Sequence, residues 1–185
     1  AAASIVNAMP AFDTASQAMQ HCRQRGYRRV GFLFSDGNDS PRVGERWLGA
    51  YLTQQLQFPE ADRIPICPRI PTDEATFRKW FLEYRPDALL VNNPGLLVSW
   101  LKNLGQQVPR DVGLVALEHR RELESTVIYY DPAKVGGLAI EMLVGLMHRN
   151  ETGVPAVQHE VLLTGEWRDN GMLPPRNAVV ATALA

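Results

Sequence analysis

Two cysteines in 185 residues, no long apolar run and no excess of either charge remove several classes of protein at once. Cys22 and Cys67 stand at no motif spacing, so neither a disulfide framework nor a structural zinc site is indicated. Cys22 shares a helical face with Ala15, Ala18 and Met19, the pattern of a packed side chain. No stretch approaches the roughly 18 apolar residues of a membrane helix, so no membrane partner is expected. No secretory apolar segment stands at the amino end, which for a natural start points to the cytoplasm.

The formal net charge is -1 and the basic residues are scattered, unlike the broad basic surface of a nucleic-acid-binding domain. The densest basic run is Arg23, Arg25, Arg28 and Arg29, where a helix should end and a strand begin. It reads as solvated cations complementing a helix C-terminus, with a phosphate contact as the alternative.

Motifs for chemistry are missing too. No G-x-G-x-x-G follows a strand, and neither a Walker loop nor a G-x-S-x-G elbow occurs. The histidines, His21, His119, His148 and His159, are spread singly without a second ligand at metal spacing. Glu118 and His119 are sequence neighbours whose side chains diverge, a poor acid/base pair. The expectation is a binding protein, not an enzyme, with no cofactor and no metal.

What is present is an ordinary globular composition, 45% apolar and 21% charged, long enough for one domain or two small lobes. Helical and strand patterns alternate. Strands are expected at 4–6, 30–34, 87–92, 112–117, 127–129 and 159–163, with a weaker edge strand at 63–70 broken by Pro65 and Pro68. Between them, Phe77, Trp80, Phe81 and Tyr84 recur at i, i+3, i+4 and i+7, a core-facing stripe. Val135, Leu138, Ala139, Met142, Leu143, Leu146 and Met147 make another. Ser40-Pro41, Asn93-Pro94 and Asp131-Pro132 each place a polar cap before a proline, a helix-opening signal.

This order predicts an α/β fold with doubly wound parallel sheets, in which ligands bind outside the carboxyl ends of the strands. The polar residues there are Asp39, Arg46, Asn92, Asn93, Glu118, His119 and Tyr130.

The strings GYRRVGFL, RWLGAY from Arg46, DALLVNN, VPRDVGLVALE, STVIYYDPAKVGGLAIEML and VLLTGEWRDN, in this order over residues 13–171, resemble the LacI/GalR family of bacterial repressors. The resemblance implies a two-lobed core like a periplasmic sugar-binding protein, with three crossovers and a small effector in the cleft. It also implies roles. Arg46 would bind effector hydroxyls, Asn92 would act at a strand end, and Glu118 would accept sugar hydroxyls; Tyr130, Asp13 and Arg42 would line the same cleft. A guanidinium fork, a carboxylate and an amide together suit a polyhydroxylated ligand.

Departures from the family pattern are Tyr27 for a commoner histidine, Asn93 for a frequent aspartate, and Leu117-Glu118-His119 for an aromatic-Asp-polar string. Neither the helix-turn-helix headpiece nor the first strand-helix units of the amino-terminal lobe is matched. By this resemblance, residues 1–35 and 126–148 form an incomplete amino-terminal lobe, 36–125 and 149–176 the carboxyl-terminal lobe, and 177–185 a tail. Residues 35–40 would be the first crossover. The implied partners are a carbohydrate effector, a second copy in a homodimer and, only through the headpiece, operator DNA. A solute-binding protein of the same fold is the alternative.

Overall fold

Every residue from Val30 to Leu33 is buried, which fits a strand with helices on both faces. It forms the strand here numbered β2, after β1 (Ile5–Asn7) and helix α1 (Ala11–Gln24). Then come α2 (Pro41–Gln55), α3 (Glu74–Tyr84), β3 (Ala88–Val91), α4 (Gly95–Asn103), β4 (Gly113–Ala116), β5 (Val127–Tyr129), α5 (Pro132–His148), β6 (Glu160–Leu162) and β7 (Glu166–Arg168). The structure, a computed structural model, describes residues 5–7, 10–34, 41–68, 72–118, 126–151, 153 and 160–176, with only the backbone at 5–7, 41–44 and 160.

The chain divides into two units. Unit 1 is Ala1–Pro10 with Tyr129–Glu166, and unit 2 is Ala11–Ile128 with Trp167–Ala185, so the chain passes between them three times.

Unit 2 holds a five-stranded sheet in the order β2-β3-β4-β5-β7. β2, β3 and β4 are parallel, with Leu33, Val91 and Ala116 in register. Successive side chains of a strand point to opposite faces, and both faces are covered. Phe32, Phe34, Ala88, Leu90, Val115 and Leu117 meet α1 and α2 through Ala15, Met19, Trp47 and Tyr51. Leu33, Leu89, Val91 and Leu114 meet α3 and α4 through Phe77, Trp80, Leu97 and Leu101. At about 1.5–3 kcal/mol for each large side chain, these layers hold the unit together.

The α1–α2 layer has a polar pin as well. The Tyr51 hydroxyl lies 2.9 Å from the Ile64 carbonyl and 3.1 Å from that of Val30. At the close contacts the sheet needs glycine. A Cβ on Gly31 would stand 2.5 Å from Trp80 and 2.8 Å from Leu89.

Unit 1 is smaller. β1 pairs in parallel with β6, Ile5 opposite Glu160. α5 is capped as its sequence predicts, the Ala133 N–H donating to Asp131 Oδ1 at 2.9 Å. Its apolar stripe is mostly uncovered: Leu146 is the buried residue of the helix, while Ile140, Leu143, Val144 and Met147 are 43–68% exposed.

These boundaries correct the expected ones. Residues 11–34 belong with unit 2, because α1 packs on α2 in one core and β2 hydrogen-bonds to β3. Residues 149–166 belong with unit 1, because β6 pairs with β1. The expected crossover at 35–40 lies outside the described residues, but both its flanks are in unit 2, and the first passage falls between Pro10 and Ala11.

Two smaller differences have local causes. The described residues 63–68 form no strand: the Cys67 N–H donates to the Phe32 carbonyl at 2.9 Å, but Pro65 and Pro68 have no N–H to continue a ladder. β7, with its polar flanks Glu166 and Arg168, carries too little apolar pattern to be read as a strand. The expected tail at 177–185 lies outside the described residues.

Candidate functional site

The carboxyl edge of the unit 2 sheet is built by the ends of its strands. The β3–β4 ladder runs one residue further, the Leu117 N–H donating to the Val91 carbonyl at 2.8 Å. Phe34, Asn92 and Leu117 therefore share the last rank, with Asn93 and Glu118 just beyond. Asn92 is fully buried, an amide set into the end of an apolar strand; Glu118 is half-buried. Both have partners, as does Arg46.

The helices open on this same edge. α2 leaves β2 here and carries a half-buried Arg46 in its second turn. α1 ends at the amino end of β2, so its first turn, with exposed Asp13, faces the carboxyl edge. Asp73 caps α3, its Oδ1 accepting the Thr76 N–H at 2.7 Å. Asn93 Oδ1 accepts the Gly95 N–H at 3.1 Å across Pro94, which, and not Asn93, is the N-cap of α4.

Of the predicted site residues, Arg46, Asn92, Glu118 and Asp13 thus belong to one edge of one unit. Tyr130 is half-buried in unit 1, directly before the cap of α5. Arg42 lies in α2, but its side chain is outside the described residues, as are Asp39 and His119. Sequence reasoning missed Thr72 and Asp73 at this edge. Thr72 is buried and its N–H donates to the Phe34 carbonyl at 3.0 Å, and a cap directly before a helix was the signal that could have found the pair.

Arg23 and Arg28 of the basic run are exposed, as a solvated helix end would be, while Arg25, Arg28 and Arg29 also hold parts of the fold together. Arg25 Nη1 lies 2.5 Å from Asp169 Oδ2 and donates to the Leu173 carbonyl at 2.5 Å. Arg28 pairs with Asp62 at 2.8 Å. The backbone N–H groups of Arg28 and Arg29 donate to the two Asp87 oxygens at 2.9 and 3.0 Å, and the Arg29 guanidinium reaches the Tyr84 and Ala61 carbonyls. The guanidinium groups of Arg25, Arg28 and Arg29 thus each serve a carbonyl or carboxylate of the fold.

Beside it, His21 stacks on Trp167 with centroids 3.9 Å apart. Burial, and then the Arg25 charge, hold His21 below its usual value, while Asp169 opposes them. Burial pushes the Asp169 carboxyl up, but the Gly171 N–H and the Arg25 guanidinium more than offset this and hold it below the usual carboxylate range.

Among the described residues no cluster of histidines, cysteines or carboxylates is arranged to hold a metal ion, and no helix is long and apolar enough to cross a membrane.

Comparison with known proteins follows the fold. The comparison with curated proteins returns no match. Among solved structures, a LacI-family regulator of Enterococcus faecium with bound ribose is 15% identical, with a TM-score of 0.65 over 90% of this chain and 64% of that one. A putative LacI-family regulator of Rhizobium etli is 16% identical, with a TM-score of 0.69 and the same coverage. A LacI-family regulator of Enterococcus faecalis, also with bound ribose, is 13% identical, with a TM-score of 0.63 over 90% of this chain and 62% of that one. The chain thus shares the fold of these regulators and spans less than two thirds of their length. Residues 19–169 match the family model of the periplasmic binding protein-like domain, and the chain belongs to that family.

Proposed function

We propose that this chain is the effector-binding and dimerisation portion of a LacI/GalR-type transcription regulator in the cytoplasm. It senses a small molecule, a sugar or sugar derivative, and governs operator binding by a headpiece outside this sequence. The carrying observation is the buried Asn92 beside Glu118 at the carboxyl edge of a parallel sheet, the place where doubly wound folds take their ligands. Arg46 and Glu118 supply a donor fork and an acceptor for sugar hydroxyls, Asn92 donates and accepts through its amide, and Asp13, Arg42 and Tyr130 complete the lining. Two of the fold neighbours carry ribose, which makes a pentose the first probe.

Such a sensor works by binding one arrangement of its units better than another, so the ligand shifts their populations. A homodimer would transmit that shift to the paired headpieces. The test is calorimetry with ribose and a panel of related sugars. Binding that is lost in Arg46→Ala, with the far-ultraviolet spectrum unchanged, supports the reading; sugar affinity unchanged by Arg46→Ala removes Arg46 from the site. A coding sequence that opens with a signal peptide in place of a helix-turn-helix would favour a solute-binding protein of the same fold.

A further inference from the structure

Two of the three passages between the units are tied to one group of residues in unit 2, which also grips the far end of α1, the helix that follows the first passage. α1 follows the first passage, β5 runs into the second, and Trp167 is the first residue after the third. Trp167 packs against α1, stacked on His21 at 3.9 Å with Arg25 5.4 Å from the ring centre. Its Nε1–H is buried without a hydrogen-bond partner among the described residues, and ring packing holds the indole in place.

A second tie joins the other two passages. Thr126, fully buried two residues before the chain leaves unit 2, accepts the N–H groups of Asn170 and Met172 at Oγ1, at 3.3 and 3.2 Å. Its hydroxyl lies 3.5 Å from Asp169 Oδ1, and Asp169 in turn pairs at 2.5 Å with Arg25, the residue directly after α1. The Thr126 carbonyl accepts the Ala116 N–H at 2.9 Å, which fixes the group to β4.

We propose that His21, Arg25, Thr126, Trp167 and Asp169 form a common anchor, the fixed base from which the passages to unit 1 bend, and that loosening it widens the range of arrangements the two units adopt. Bending segments need a rigid footing, since motion about a hinge is confined to a few residues only when the elements on either side are held. The anchor stands on contacts inside unit 2. Only its use, to sharpen the response to a sugar, rests on the reading above. Because the Trp167 N–H has no hydrogen-bond partner among the described residues, phenylalanine should serve nearly as well there, whereas alanine removes the ring that meets His21.

The experiment measures distances between the units in the whole chain. Spin labels on Lys102→Cys in unit 2 and Lys134→Cys in unit 1 are read by pulsed electron resonance; both sites are exposed, and the native Cys22 and Cys67 are buried and stay unlabelled. With the unsubstituted anchor as reference, Trp167→Ala and Thr126→Val broaden the distance distribution, and Trp167→Phe returns it to the reference. His21→Ala, which leaves the core untouched, also broadens it and keeps the test open should Trp167→Ala not fold. No broadening in any folded variant, or equal broadening by Trp167→Phe and Trp167→Ala, overturns the anchor. Adding ribose is a separate arm: a reference distribution unmoved by the sugar counts against ribose sensing and leaves the anchor result as it stands.

Discussion

α1 in unit 2 and α5 in unit 1 each present an apolar stripe, and they meet opposite fates. α1 buries Ala11, Ala15, Ala18, Met19 and Cys22 against α2 and the sheet. α5 is the richer in apolar residues, yet within it Leu146 alone is buried, and Ile140 and Met147 stand 60% and 68% exposed. A stripe therefore records what a helix needs to cover; whether it is covered depends on elements elsewhere in the chain or outside it.

The contrast can be pressed experimentally, beginning where the effect is greatest. Leu90→Ala removes a fully buried side chain between β3 and the α1–α2 layer and should cost about 2–5 kcal/mol. Leu143→Ala on α5 should stay within about 0.5 kcal/mol, because that side chain is half in solvent. Urea unfolding of both variants measures the difference, and equal losses would mean that α5 is covered in solution. Sedimentation of Leu143→Glu extends the test: a chain that self-associates through α5 becomes monomeric.

Gly31→Ala probes packing from the other direction. The new methyl meets Trp80 and Leu89 at less than contact distance, so the variant should lose about 1–3 kcal/mol in the same measurement. The same change at Gly136 or Gly137 of α5, where an added Cβ meets nothing within 4 Å, should be neutral or slightly stabilising.

The smallest expected effect is a pH dependence confined to unit 2. His21 titrates below its usual 6.5 in the folded chain, so between these values the unfolded chain binds more protons and stability rises with pH. The burden is absent above 6.5 and appears as the pH falls through that value. The urea midpoint should therefore drop between about pH 7.5 and about pH 5.5, by less in His21→Gln than in the parent. A drop of the same size in both would assign it to other groups, since Arg25 and Asp169 also face this ring.

Much of unit 2 was legible because its signals are local. Val30 to Phe34, Ala88 to Val91 and Val112 to Leu117 are apolar at nearly every position, and Asp131 announces its helix by a cap before a proline. Which unit each element joins was not legible, since β2 reads the same whether its neighbour is β1 or β3. The hold of Arg25, Arg28 and Arg29 on the fold was not legible for a related reason: the partners Asp62, Asp87 and Asp169 lie 34, 59 and 144 residues from the arginines they hold. At the candidate site the strand ends pointed to Asn92 and Glu118, while Thr72 and Asp73 read only as the opening of a helix, because the proline-interrupted stretch before them hides that they stand beside Phe34.

The tie between Arg25 and Asp169 also bears on how the protein is made. Unit 2 is interrupted in sequence, and its closing strand emerges only after the whole of unit 1 has been synthesised. The sheet edge at β5 must wait for β7, and the α1 face for Trp167, until the intervening residues 129–166 have been made. The wait adds little to the equilibrium cost, for each doubling of a flexible loop adds only about 0.6 kcal/mol of closure entropy. The segment 129–166 can accordingly be treated as an insertion in unit 2, and added length within it should slow the completion of unit 2 far more than it weakens the finished fold.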